Sequence, residues 1–132
     1  MISRTELRAL AQARLQDATE LLKLKRYDGA IYVCGYAIEL ALKARICRTL
    51  KWLGYPQTNS EFNGLLSFRT HDFDILLRLS GLAQKIRSTY MADWSIVANW
   101  RPDYRYRPMG SAKKGETEDM INATTNLLKV LL

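Results

Sequence analysis

Apolar residues recur every three or four positions from Ser3 to Lys25: Leu7, Leu10 with Ala11, Leu15, Ala18, then Leu21 with Leu22, with charged residues between them. That period predicts an amphipathic helix. It pauses at Lys25-Arg26-Tyr27-Asp28, predicting a short turn. The next segment, Tyr27 to Leu53, is too long for a strand and apolar around much of its circumference. Ala30, Cys34, Ala37, Ala41 and Ala44 mark a stripe of small residues, beside a bulky stripe of Ile31, Ile38, Leu42 and Ile46. A helix of this kind is central, touched by neighbours on several sides, and the small stripe lets one neighbouring backbone come close. Gly54 and Pro56 are expected to end it.

Residues Tyr55 to Arg69 carry Gly, Pro, Asn and Ser and read as a connector or mobile loop. Thr70 is placed to cap a short helix through His71–Leu79, with Asp72 and Asp74 in the positive field of its first turn. After Ser80-Gly81, the apolar positions Leu82/Ala83, Ile86, Tyr90, Trp94 and Val97 predict one helix over about Leu82 to Trp100, ended or kinked by Pro102. A basic stretch and a Gly/Ser loop follow, and Met120/Ile121, Thr124, Leu127/Leu128 and Leu131 predict a last helix from about Glu116 to Leu131. No strand-period segment and no repeat appears. The fold expected is all-α, an up-and-down four- or five-helix bundle in a single domain spanning 1–132.

Composition adds a sign and a compartment. Lys and Arg number 20 against 13 Asp and Glu, a formal charge of +7, which favours an anionic partner. From Gln84 to Lys114 the bases Lys85, Arg87, Arg101, Arg105, Arg107, Lys113 and Lys114 face only Asp93 and Asp103 in sequence, so the positive potential is expected to concentrate there. No apolar run reaches the roughly 20 residues a bilayer requires, and no apolar stretch follows the polar N-terminus, which predicts a cytoplasmic chain. Cys34 and Cys47, on one helix, are separated by about 20 Å along its axis and read as buried structural thiols. One histidine and two distant cysteines do not assemble a zinc site, and no cofactor motif is present.

Three groups of residues are candidates for chemistry. His71, the only histidine, is a structural contact or a general acid/base, since an unperturbed imidazole titrates near neutrality. Glu39 and Lys43 have the i,i+4 order that supports a helix, and inside so apolar a helix at least one of them should face a cleft. The stretch "NWRPDYRYRP" (Asn99–Pro108) alternates arginine with tyrosine. Guanidinium forks bind phosphate, and phenol rings stack on bases. The same residues fit equally well a second arrangement, with Trp100, Tyr104 and Tyr106 packed under the end of the bundle and the arginines in water.

Taken together, "YDGAIYVCGYAIELALKARI" (Tyr27–Ile46), "THDFDILLRL" (Thr70–Leu79) and "WRPDYRY" (Trp100–Tyr106) resemble the central helix, the following short helix and the functional segment of the HEPN family, in that order. These are small helical domains of prokaryotic toxin–antitoxin pairs, defence systems and nucleotidyltransferase-associated proteins. The resemblance implies a helical bundle, commonly a homodimer, tied to RNA cleavage or nucleotide binding. Active members use an arginine and, after a spacer of four to six residues, a histidine, and cleave RNA without metal. Arg101 fits that arginine, but the positions where the histidine should stand hold Tyr106, Arg107 and Pro108. Tyrosine, with a pKa of about 10, is a poor base at neutral pH.

The resemblance therefore implies a noncatalytic RNA- or nucleotide-binding module, with Arg101, Tyr104, Arg105 and Tyr106 on the ligand and Glu39, Lys43, His71 and Asp72 in support. A nucleotidyltransferase is a possible partner protein. The alternative is a metal-independent ribonuclease whose divergent site uses Arg101 and His71.

Overall fold

The computed structural model describes residues 1–132. Helix α1 (Arg4–Lys23) begins with Ser3, whose hydroxyl accepts the Glu6 N–H at 3.1 Å while the Glu6 carboxylate accepts the Ser3 N–H at 3.0 Å. This reciprocal box satisfies two of the donors that every helix N-terminus leaves open. Leu7, Ala11 and Ala18 are its buried residues.

Helix α2 (Tyr27–Leu50) is the centre of the molecule. Both predicted stripes are buried along it. It packs against α1 on one side and against α3 (Phe73–Ser80) and α6 (Lys114–Leu131) elsewhere. Its end comes three residues before the expected Leu53. Lys51 adopts a left-handed conformation (φ 57°), and the Trp52 N–H returns to the Cys47 carbonyl at 2.8 Å. Those bonds close the last turn without a glycine. Cys34 and Cys47 are free and buried, about where their spacing put them. Burial pushes the Cys34 thiol up to about 11, and its sulfur donates to Thr124 Oγ1 at 3.2 Å.

A feature with no period in the sequence follows α2. Residues Ile2–Ser3 (β1) and Gly54–Tyr55 (β2) pair antiparallel, with Ile2 opposite Tyr55 and Ser3 opposite Gly54. The two backbones approach so closely that a Cβ on Gly54 would lie 2.6 Å from the Ile2 carbonyl oxygen. The connector that follows is tied down rather than free-standing. Phe62 is buried, Trp52 packs on Phe68 with ring centroids 4.8 Å apart, and the Tyr55 hydroxyl donates to the Phe68 carbonyl at 2.6 Å.

The helix expected over Leu82–Trp100 is two helices, α4 (Ala83–Thr89) and α5 (Met91–Val97), broken at Tyr90 (φ −119°, ψ 28°). Ser88-Thr89-Tyr90 are weak helix formers, and the break lets α4 pack on α3 while α5 packs on α6. The bundle thus has three long helices and three short ones instead of four long and one short. It is all-α apart from the two-residue strands. No helix is long and apolar enough to cross a membrane.

Candidate functional site

The site is organised by one face of α2. Tyr32, Tyr36, Glu39 and Lys43 follow a four-three-four spacing, which brings them into line on one side of a helix. In this largely apolar element they form a polar seam. Tyr32 and Tyr36 meet edge to face at 5.3 Å, with their hydroxyls 3.3 Å apart. Burial, then the neighbouring Tyr32 hydroxyl, raises the Tyr36 phenol to about 12, so it stays neutral at physiological pH.

Glu39 is buried, its side chain 6% exposed, and its two oxygens have different partners. One contacts His71 Nδ1 and the other lies 3.6 Å from Lys43 Nζ. An ionised carboxylate can only accept, so the proton of a neutral His71 sits on Nδ1 and the lone pair on Nε2. The helix face thereby fixes the tautomer of an imidazole that is itself 61% exposed.

His71 stands just before α3, but Thr70 is not that helix's cap. Asp72 is: its carboxylate accepts the Ile75 N–H at 3.1 Å, and the Thr70 hydroxyl instead accepts the Asp72 N–H at 3.0 Å. Because α3 begins at Phe73, Asp72 holds the capping position, for which aspartate is among the preferred residues. Asp74, in the first turn as expected, pairs with Arg87 at 3.4 Å.

The basic stretch is rooted in the core by Trp100, which is only 4% exposed. Its indole stacks on Phe73 (5.5 Å between centroids, 14° between planes) and meets Tyr36 edge-on at 5.0 Å. It occupies a slot that exists because residue 35 is glycine: a Cβ there would fall 1.9 Å from the indole. The indole N–H has no hydrogen-bond partner. Beyond it, residues Pro102–Tyr106 form a 3-10 turn, with proline at the position where a missing N–H costs nothing.

This turn sends the four predicted ligand residues to different places. Arg101 lines a hollow of about 460 Å³ together with His71, Asp72, Asn99 and Trp100. Tyr104 and Arg105 line another, of about 230 Å³, with Tyr32, Arg107 and Asp28. Tyr106 lines neither; it is 74% exposed, with the Arg105 guanidinium 4.7 Å from its ring centroid. Tyr104 is half-buried and its hydroxyl donates to the Asn99 carbonyl at 3.0 Å. Of the two arrangements open in the sequence, each therefore describes a part. Trp100 packs under the bundle, Tyr106 does not, and Arg101 and Arg105 do not converge on one pocket.

The positive potential of the stretch is also trimmed by an acid within it and by others beyond it. Arg101 pairs with Asp103 at 3.1 Å, Arg107 with Glu116 at 3.5 Å, and Lys114 with Glu118 at 3.9 Å. Asp28 accepts the Ala112 and Gly110 N–H groups at 2.9 and 2.6 Å, which lower its pKa and fasten the loop to the start of α2. No three His, Cys, Asp or Glu side chains are grouped to hold a metal ion. Asn99, Tyr32 and Tyr36 were not singled out in the sequence. The two tyrosines were legible as members of the polar seam, since they share its spacing with Glu39 and Lys43.

Comparison with curated proteins gives no match, and neither does comparison with solved structures. A protein-family model, that of the HEPN domain, matches residues 5–132. It takes in the central helix, the Glu39–His71 contact and the basic stretch alike. With nearly the whole chain covered and the fold all-helical, the protein belongs to the HEPN family.

Proposed function

We propose that the chain is an RNA-binding module that holds a phosphate of its ligand at the hollow shared by Arg101 and His71. The observation that supports this reading is the His71 imidazole, oriented by the buried Glu39 carboxylate, on the same hollow as the exposed Arg101 guanidinium. Arg101 offers a planar fork of donors that matches a phosphate's oxygens. Asp72 and Asp74 also line this hollow, but the first is engaged with the α3 N-terminus and the second with Arg87. Arg101 must exchange Asp103 for the ligand, which holds affinity at a modest level and makes binding salt-sensitive.

The test is fluorescence anisotropy with a labelled single-stranded oligoribonucleotide over a range of salt. Arg101→Ala is expected to weaken binding by roughly tenfold and to lower the salt slope by about 0.7, the value for one phosphate contact on a single strand. Tyr106→Phe should change little. Unaltered affinity and slope in Arg101→Ala would remove the basis of the reading.

A second reading, metal-independent cleavage of RNA, is favoured by the same tautomer. With Nδ1–H directed at Glu39, the Nε2 lone pair is free to take a proton from a ribose 2′-hydroxyl. The 2′-oxygen would then bond to phosphorus as the bond from phosphorus to the 5′-oxygen breaks. The imidazolium would return its proton to that leaving oxygen, and Arg101 would offset the charge on the phosphorane. Incubating the protein with labelled RNA in excess EDTA decides between the readings. Cleavage to a 2′,3′-cyclic phosphate, lost in both His71→Ala and Arg101→Ala, establishes the enzyme; intact RNA with retained binding leaves the module.

A further inference from the structure

His71 borders a second hollow, one that Arg101 does not line. This one measures about 500 Å³, and its charged lining is Lys43 and Arg69, beside the His71 imidazole, with no aspartate or glutamate among the lining residues. Thr70 and Gln57 add uncharged polar groups, and Phe62 and Phe68 supply apolar wall. The cations are held there by their surroundings. Lys43 is half-buried, its ammonium 5.2 Å from the Tyr55 ring centroid and 3.6 Å from Glu39, which offsets part of its charge from below. The Arg69 guanidinium lies 5.9 Å from the Phe62 ring centroid and has no acidic partner. Unlike Arg101, Arg105 and Arg107, each beside a carboxylate of its own or of its hollow, Arg69 keeps a whole charge available to a ligand.

We infer that this hollow is a second phosphodiester subsite for single-stranded RNA, so that a strand passes over His71 with one phosphate at Arg101 and a neighbouring one at Lys43 and Arg69. The inference rests on the reading of Arg101 given above for the direction of the strand, but its residues are separate. The chemistry is that of a linear polyanion. Two hollows, each with a guanidinium, meet at one imidazole. An aromatic wall beside the second gives a base a surface on which to stack. A strand laid across His71 also brings the sugar–phosphate link between the two phosphates over Nε2. This explains how a single histidine, coming from a loop far from the basic stretch, shares in the ligand site.

The experiment uses the full chain and a labelled oligoribonucleotide of about ten residues, long enough to cross both hollows, with uridine 5′-monophosphate as a competitor that carries one phosphate. Arg69→Ala is expected to weaken oligonucleotide binding by roughly fivefold to twentyfold and to lower the salt slope by about 0.7, while Arg69→Lys restores most of both. The Arg69→Ala/Arg101→Ala double variant should lose about the product of the single losses, as independent contacts do. Lys23→Ala, at the far end of α1 and paired with Glu20, controls for net charge and should change affinity by less than about twofold.

The inference is overturned if Arg69→Ala behaves like Lys23→Ala, or if the mononucleotide displaces the oligonucleotide as well as an unlabelled copy of it does. Loss in Arg101→Ala alone overturns the subsite and leaves the Arg101 reading. Loss in Arg69→Ala alone supports a phosphate site at Arg69 but overturns the Arg101 reading and, with it, the path of the strand across His71. Loss in neither overturns both.

Discussion

Replacing Trp100 with alanine is expected to destabilise the protein by about 3–5 kcal/mol, the range for truncating a buried tryptophan, and to abolish ordered presentation of Arg101. The side chain is buried, stacked on Phe73 from α3 and edge-on to Tyr36 from α2. Its loss opens a cavity between two helices and frees the chain that follows. Gly35→Ala attacks the same contact from the other side. A methyl placed 1.9 Å from the indole cannot be absorbed by a small shift of a flexible group, so the ring must leave its slot, at a cost of about 1–3 kcal/mol or more. Chemical denaturation monitored by tryptophan emission checks both. Trp100→Phe separates packing from polarity, because it keeps a ring against Phe73 while removing an indole N–H that has no partner. It should recover most of the alanine loss. A Trp100→Ala protein as stable as the parent would mean that the basic stretch is not rooted in the core.

The second large effect is expected at Glu39. Glu39→Ala removes a buried acceptor from both His71 and Lys43 and leaves the half-buried ammonium without its counter-charge, for a loss of about 1–3 kcal/mol, reduced from the fully buried case because both partners reach water. The sharper readout is the imidazole. In the parent protein the neutral ring carries its proton on Nδ1; in Glu39→Ala the tautomer should redistribute, visible in the ¹⁵N shifts of the single histidine. Glu39→Gln keeps the volume and can still accept from Nδ1, but it turns an amide NH₂ toward Lys43, so donor faces donor. It should preserve the tautomer and still lose stability. An unchanged histidine spectrum in Glu39→Ala would show that the carboxylate does not orient the ring.

The long helices were legible because the property that forms them is local. An apolar residue every three or four positions marks α1 and α6, and α2, apolar around much of its circumference, announces itself as central; the buried stripes lie where the spacing puts them. The break at Tyr90 was not legible, since Ile86, Tyr90, Trp94 and Val97 continue one period across it and the reason for the break is what each half packs against. Nor do two-residue strands leave a period to read.

The site divides in the same way. The Glu39–Lys43 pair follows from an i,i+4 spacing. The Glu39–His71 contact spans 32 positions in sequence and is created by the docking of α3 on α2. Direction was the other hidden quantity. Residues along a 3-10 turn are spread about 120° apart, so the arginines and tyrosines of one short stretch reach different hollows although they stand side by side in the chain. What distinguishes Arg69 is the absence of an acid beside it, which the fold decides and no spacing in the chain reveals.

The slot at Gly35 has a further consequence, for how freely this protein can change. Trp100 is the buried anchor of the stretch, backed by the half-buried Tyr104 and by Asp28 on the loop beyond, whereas Arg101, Arg105 and Tyr106 stand in solvent and add little to folding. Their identity can be exchanged at small expense to the scaffold, so the surface they present can be rewritten while the architecture is kept.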